Sequence, residues 1–376
     1  MGEFSTADYR YMARAIQLAK RGLYTTDPNP RVGCVLVKDG EIIAEAFHQR
    51  VGEPHAEALA LKQAGSAAKG CSAYVTLEPC SHTGRNPPCA DALIAAGVAR
   101  VVVCNDDPNP LVAGQGYDKL RQADIQVVRG IKTKQGTALN SGFFKRMQTG
   151  NPWVRLKSAQ SIDGRTAMAS GESQWITGKQ ARADVQYWRG RSGAIITGIE
   201  TILADDCRLN FRPEAMSKKH QKLWQAGTEN QPLRVVVDSQ LRLPLDASLL
   251  QTGGAVWVVC AVANEGKVAA LKARGVEVLQ LPDADGHVDL KGLLAKLGEA
   301  EINEVLVETG ATLAGAFVQQ KLVDELLIYV APVLMGSSAR PLYEFNIEEM
   351  SERLHIKVKS IRSMGQDWRI KAKISH

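Results

Sequence analysis

The sequence predicts an α/β protein built as two successive units. Three observations carry that expectation. Short β-branched runs alternate with helical stretches along both halves, the pattern of helices layered on a sheet. A polar, turn-prone stretch, Gln148-Thr149-Gly150-Asn151-Pro152, separates the halves. The chain has 376 residues, 45% hydrophobic and 23% charged, which suits about two to three domains of an ordinary globular enzyme.

Taken in order, Tyr9 to Arg21 reads as an amphipathic helix with Met12, Ile16 and Ala19 on one face. Val32 to Val37 and Glu41 to Phe47 read as paired strands, joined by a turn at Lys38-Asp39-Gly40. Pro54 to Ala64 is a helix with proline at its start. Ala73 to Leu77 is a strand, Ala90 to Ala96 a helix and Val101 to Cys104 a strand, completing a three-layer α/β unit over residues 1–150. A second series over 151–376 has strands at Trp153–Ala159, Ala194–Thr197, Arg234–Asp238, Val256–Cys260 and Val305–Glu308. A helix is expected at Ala181–Arg189, and another opens after Thr309-Gly310. The polar stretch Pro213–Pro232 reads as a loop insertion.

Composition narrows the function. There are 46 basic and 40 acidic residues, a net +6, spread evenly, with no Lys/Arg cluster of the kind that tracks a polyanion. No nucleic-acid partner is expected. The longest near-continuous apolar run, Ala255–Ala263, falls far short of the roughly 18 residues a membrane span requires, and no secretory h-region is visible. Seven cysteines (Cys34, Cys71, Cys80, Cys89, Cys104, Cys207, Cys260) follow no disulfide spacing, so reduced thiols in a cytoplasm are expected.

Two constellations carry chemistry. The first is His55-Ala56-Glu57, then Glu78-Pro79-Cys80, then Pro88-Cys89. One imidazole and two thiolates form a three-ligand set for a catalytic Zn²⁺ with a fourth position open for water. The cation lowers the pKa of that water to roughly 7. Glu57 is then the proton shuttle rather than a ligand. Residues i and i+2 in mid-helix point about 200° apart, so His55 and Glu57 can face one cavity only at a helix start, where Pro54 puts them. A closed structural zinc site, with His82 as fourth ligand, is the competing reading. The second constellation is Glu308-Thr309-Gly310 running to Gly315-Ala316, a strand that opens into a helix through glycine. That arrangement lets backbone N–H groups approach a pyrophosphate, although it is also common packing architecture. No G-x-G-x-x-G fingerprint is found after residue 150.

The H-x-E, P-C and second-Cys pattern is the signature of the zinc nucleobase deaminases. Here eight residues, Ser81 to Pro88, separate the cysteines instead of two. The stretch TLEPCSHTGRNPPC (Thr76–Cys89), together with Asp27 to Val35, resembles the bifunctional riboflavin-biosynthesis deaminase–reductases. Lys157–Arg165, Ser173–Thr177, Trp188-Arg189, Thr197–Asp206 and Arg208–Arg212 resemble the reductase half of the same family. The resemblance implies a cytidine-deaminase-like three-layer α/β/α domain at 1–150 and a dihydrofolate-reductase-like α/β domain at 151–376. It implies zinc and NADPH as cofactors, and small phosphoribosylaminopyrimidines as substrates. It also implies a homo-oligomer.

Carried over residue by residue, His55, Cys80 and Cys89 hold the metal and Glu57 is catalytic. Asn29 and His82 contact the pyrimidine substrate, with Arg85 of the same loop near its phosphate. Ala159, Trp175, Thr201, Asp205, Ser239 and the stretch Gly310, Ala311, Thr312, Leu313, Ala314, Gly315 and Ala316 hold NADPH. Ser173, Arg189, Leu209, Arg212 and Glu308 hold the reductase substrate, the two arginines as planar clamps on its phosphate. Trp175 is expected to cover the nicotinamide, and Ser239 with Arg242 to favour NADPH over NADH. Lys157 and Asp205 are both candidates for the proton donor. Two rival readings are a nucleic-acid deaminase with an unrelated C-terminal appendage, and a non-enzymatic protein pairing structural zinc with a small-molecule sensor.

Overall fold

The computed structural model describes residues 4–81, 87–109, 113–224 and 231–375. The chain divides into two compact units, one built on residues 1–150 and the other on 151–222 with 229–376.

In the first unit the order is α1 (Thr6–Ala19), β1 (Gly33–Lys38), β2 (Glu41–Phe47), α2 (Ala56–Ala64), β3 (Ser72–Leu77), α3 (Cys89–Ala95), β4 (Arg100–Asn105), α4 (Gln115–Gln122), β5 (Gln126–Arg129), α5 (Thr133–Leu139) and α6 (Ser141–Thr149). Among the described residues these strands form one sheet in the order β2-β1-β3-β4-β5. β1 is antiparallel to β2 and β3, and β3, β4 and β5 run parallel. α1 begins in a capping box: the Ser5 hydroxyl accepts the Asp8 N–H and Asp8 accepts the Ser5 N–H. Asp39 and Gly40 both have positive φ, as a two-residue hairpin turn requires. Gly33 lets α1 lie on β1: a Cβ there would come 2.1 Å from the Ala15 carbonyl oxygen. The core has two faces. Cys34, Leu36, Ala60, Val75, Leu93 and Leu120 pack on one side of the sheet, and Met12, Ile16, Val35, Tyr74 and Val102 on the other.

The second unit contains β6 (Trp153–Ser161), β7 (Arg165–Ala167), α7 (Lys179–Arg191), β8 (Ala194–Gly198), α8 (Ile199–Asp205), α9 (Lys218–Gln221), β9 (Leu233–Val237), β10 (Val256–Cys260), α10 (Glu265–Lys272), β11 (Val276–Gln280), α11 (Leu290–Glu299), β12 (Glu304–Glu308), α12 (Ala311–Gln319), β13 (Glu325–Ala331), β14 (Arg340–Pro341), β15 (His355–Met364) and β16 (Asp367–Ser375). Among the described residues nine strands form its main sheet, ordered β11-β10-β9-β8-β12-β6-β13-β16-β15, with β14 paired to β7 apart from it. β11 through β13 are mutually parallel, and β16 and β15 join antiparallel. β12 therefore sits at the centre, and its C-terminal end is the site-bearing edge of an open parallel sheet.

The expected elements all form, with no end moved by more than three residues. The sequence reading does not anticipate α4, β5, α5, α6, β7, α8, α10, β11, α11, β13, β14, β15 or β16. The 213–232 stretch expected to be a loop carries the short helix α9, while residues 225–230 lie outside the described residues.

Candidate functional site

The metal constellation assembles from two helix starts. His55 is the N-cap residue of α2, Glu57 is its second residue, and Cys89 is the first residue of α3. Cys80 lies three residues past β3, and its sulfur accepts the Cys89 backbone N–H at 3.3 Å. His55 Nδ1 lies 3.3 Å from Cys89 Sγ and 3.6 Å from Cys80 Sγ. All three ligand atoms fall within 4.8 Å of one another. A tetrahedral zinc with Zn–N near 2.05 Å and Zn–S near 2.3 Å places nitrogen and sulfur about 3.5 Å apart, so this donor set fits that ion. The helix start also answers the spacing problem, because only there do His55 and Glu57 turn to one cavity.

Glu57 is 3% exposed. Burial pushes its carboxyl up to about 7, against the pull of His55, and the carboxyl lies against the Cys89 thiol. The Cys89 thiol donates toward Cys80, which holds Cys80 down at about 4 and pushes Cys89 up. A carboxyl group poised near neutrality beside a set of metal ligands is equipped to take up a proton and give it back. Among the described residues, these three side chains are the one histidine–cysteine–carboxylate group close enough to hold an ion. His82 and Arg85, expected over the substrate, lie outside the described residues.

Asn29 lies on the segment entering β1, its amide nitrogen 3.2 Å from His48 Nε2. His48 is buried at the end of β2, with Nδ1 3.2 Å from the Pro54 carbonyl oxygen and its ring edge-on to His55 at 5.3 Å. Sequence reasoning missed His48. The available signal was a histidine closing a strand seven residues before H-x-E.

The second unit gathers its candidates at the C-terminal ends of β6, β8 and β12. Glu308, the last residue of β12, accepts two hydrogen bonds from Arg189 of α7, at 2.6 and 2.9 Å. The third arm of Arg189 donates to the Asn210 carbonyl at 3.1 Å. Lys157 Nζ lies 3.9 Å from Glu308. Burial alone would raise the Glu308 carboxyl, but Arg189 and Lys157 hold it below the usual carboxylate range. Burial lowers Lys157. Asp205, at the end of α8, accepts a hydrogen bond from Ser173 at 3.2 Å. Thr201 is half-buried on the same helix, and Ala159 and Ser239 are half-buried at strand ends. Leu209 is buried with a positive φ.

The surroundings of four of these candidates bear on their roles. Arg189 does not offer a free fork to a phosphate, because Glu308 and Asn210 already occupy its three arms; of the two arginines, only the exposed Arg212 is left for that role. Trp175 is 68% exposed, with the Arg182 guanidinium 4.5 Å over its ring. It borders a cavity of about 510 Å³, shared with Arg182, Val333, Met364 and Asp367. Arg242 is ion-paired to Glu200. In the Gly310–Ala316 stretch, Gly310 is the N-cap of α12 and stands in open space, but Ala314 belongs to the core. A Cβ on Gly315 would meet the Glu344 carbonyl oxygen at 2.1 Å, so that glycine serves packing. The N-terminal turn, Gly310 to Leu313, is the part left to meet a pyrophosphate.

Residues 152–370 match the family described as the RibD C-terminal domain, and residues 5–105 match the cytidine and deoxycytidylate deaminase zinc-binding region. The riboflavin biosynthesis protein RibD of Escherichia coli is 51% identical over 361 residues, covering 96% of this chain and 97% of that protein. That of Haemophilus influenzae is 46% identical, covering 98% and 97%. The solved structure of Acinetobacter baumannii RibD superposes with a TM-score of 0.90 at 48% identity, covering 98% of this chain and 99% of that one. The Thermotoga maritima diaminohydroxyphosphoribosylaminopyrimidine deaminase/5-amino-6-(5-phosphoribosylamino)uracil reductase superposes with a TM-score of 0.83 at 29% identity, covering 98% and 99%.

Proposed function

The chain belongs to the RibD family, the bifunctional zinc-dependent deaminases and NADPH-dependent reductases of riboflavin biosynthesis, and from that premise we propose which residues do which part of the work. Residues 1–150 hydrolyse the 2-amino group of 2,5-diamino-6-(5-phosphoribosylamino)pyrimidin-4(3H)-one. Residues 151–376 reduce the ribosyl chain of the product, 5-amino-6-(5-phosphoribosylamino)uracil, to ribityl. The observation that carries this reading is the convergence of His55, Cys80 and Cys89 at zinc-ligand spacing beside the buried Glu57.

His55, Cys80 and Cys89 hold the zinc. When bound, the ion acidifies a water to a pKa near 7 and so supplies the nucleophile. Glu57, buried beside these ligands, would hold the proton given up by the nucleophile and pass it to the 2-amino nitrogen, which would leave as ammonia. Asn29, joined by His48, orients the heterocycle edge with one donor and one acceptor. His82 and Arg85 contact the ribose phosphate.

In the second unit NADPH supplies the hydride that reaches C1′ of the opened ribose. Gly310 to Leu313, with Ala159, Thr201, Asp205 and Ser239, line the dinucleotide. Glu308 accepts hydrogen bonds from the sugar hydroxyls and is itself held by Arg189. Ser173, Leu209 and Arg212 complete the substrate pocket, Arg212 pairing with the phosphate. Of the two proton-donor candidates Lys157 is favoured, because burial lowers its pKa and so eases release of its proton to the reduced centre.

The enzyme acts on small molecules, and no described helix is long and apolar enough to cross a membrane. We assign it to the cytoplasm, a reading supported by its free thiols. We further infer self-association through β15 and β16. Ile356, Val358 and Ile361 of β15 and Trp368 of β16 share one sheet face that continues the core of the second unit, yet stay 37–60% exposed. Light scattering should report a multiple of the 40.8 kDa chain mass; a single-chain mass overturns the inference.

Metal removal tests the two-site assignment directly. Dialysis against a chelator should abolish ammonia release, while NADPH oxidation with the deaminated intermediate continues; added zinc should restore the first activity. Ammonia release that persists in the metal-free enzyme would overturn the proposal.

A further inference from the structure

We propose that Asn140 is a positioning residue of the deaminase site, acting by holding the main chain that carries Asn29. This inference rests on the deaminase reading above and extends it to a residue beyond 5–105, the stretch that matches the zinc-binding family.

Asn29, Pro30 and Arg31 run just ahead of β1. Arg31 lies two residues ahead of β1 and is 5% exposed. A buried peptide group left without a hydrogen bond costs roughly 1–3 kcal/mol per atom, so each of its polar groups needs a partner. Asn140 provides it. Its Oδ1 accepts the Arg31 N–H at 2.9 Å, and its Nδ2 donates to the Arg31 carbonyl oxygen at 3.0 Å. The carboxamide thus reads both polar groups of one residue, as a neighbouring strand would, across 109 positions of sequence. The neighbouring Leu139 carbonyl accepts from the Arg31 guanidinium at 2.9 Å, adding a third tie. Asn140 is itself 3% exposed and sits at the joint between α5 and α6, which fixes its own backbone.

The segment is pinned on both sides of this clamp. The Asn29 N–H donates to the Thr26 carbonyl at 2.7 Å, and the Gly33 N–H donates to the Thr76 hydroxyl at 3.1 Å. Between these pins, Asn140 alone among the described side chains bonds the main chain of Arg31 through both polar groups. The Asn29 amide, two residues upstream, reaches His48 and through it the His55 region. A shift of the Arg31 peptide therefore moves the group that reads the heterocycle and leaves the metal ligands, which stand on α2, α3 and the end of β3, where they are. Displacement of a substrate-orienting group by about 1 Å can cost on the order of a hundredfold in rate.

Asn140→Asp is nearly isosteric, keeps an acceptor for the Arg31 N–H and sets a carboxylate oxygen against the Arg31 carbonyl. The full-length variant should keep one zinc per chain and unchanged NADPH oxidation with the deaminated intermediate. Its KM for ammonia release should rise at least about tenfold, with a smaller fall in kcat. In a double variant with Asn29→Ala, kcat/KM should equal that of Asn29→Ala alone, because Asn140 acts through Asn29. A zinc-loaded Asn140→Asp protein with wild-type KM, or losses that simply add in the double variant, would overturn the proposal. Should Asn140→Asp lose its zinc, the milder Asn140→Ser decides: raised KM with zinc retained supports the positioning role, and lost zinc or unchanged KM overturns it. Wild-type enzyme that releases no ammonia under the same conditions refutes the deaminase reading itself, an outcome distinct from all of these.

Discussion

Glu57→Gln leaves a protein that binds zinc and releases essentially no ammonia. The amide matches the carboxylate in shape, so the start of α2 and the three ligands stay where they are. It cannot accept a proton from water at neutral pH, so the general acid–base contribution, typically 10²- to 10⁴-fold, is lost from kcat. The structure makes this a clean test, because Glu57 is buried at a helix start and is not one of the three residues at ligand spacing. Metal analysis, ammonia release and NADPH oxidation on one preparation check it. Turnover at the wild-type rate would remove Glu57 from the mechanism. Lost zinc would make Glu57 a ligand instead of a shuttle.

Glu308→Ala is expected to have the largest effect on the other activity. It removes a sugar-binding carboxylate and strands the Arg189 guanidinium, which is 12% exposed and bonded to Glu308 through two of its nitrogens. Breaking a buried pair from one side costs about 3–5 kcal/mol, because the remaining charge stays without its partner. Reduction should fall below detection, and the second unit should unfold at lower temperature while ammonia release persists. Glu308→Gln separates the two effects: it keeps an acceptor for Arg189, so stability recovers most of the way, but the sugar site loses its charge and activity stays low. Normal reduction by Glu308→Gln would show that the carboxylate is there only to hold α7.

The deaminase half was far more legible in the sequence than the reductase half, for physical reasons. Metal ligands must be specific atoms at fixed distances, so His55, Cys80 and Cys89 stand out as residue types wherever they fall in the chain. The helix start at Pro54 could even be argued from the geometry of positions i and i+2. Dinucleotide and phosphate sites use backbone N–H groups and common side chains, whose availability depends on tertiary partners. Arg189 looked free because Glu308 lies 119 residues away, and nothing local reveals the pair. Gly315 looked like a phosphate glycine because its real neighbour, the Glu344 backbone, also lies outside the local sequence. The β15–β16 hairpin and β13 went unread for a related reason. β16 alternates strictly, with Trp368, Ile370, Ala372 and Ile374 against Arg369, Lys371 and Lys373, but its charged face is not the solvent face: Arg369 and Glu325 are buried there and paired to Asp184 and Arg155, partners remote in sequence. His48 and Asn140 were overlooked because their roles are to hold other residues.

Those inward charges bear on how the reductase unit moves. Helix α7 is fastened to β12 at both ends of the strand, Arg189 to Glu308 at one end and Arg191 to Glu304 at the other. Midway, Asp184 accepts from Trp188, Tyr329 and Arg369, tying the helix to β13 and β16 as well. To slide by a turn, α7 would have to strip several buried ions of their partners at once. Breathing in this half is therefore confined to chain outside the bolted frame, such as the exposed run from Ser170 to Trp175. Amide exchange along α7 should be among the slowest in the molecule.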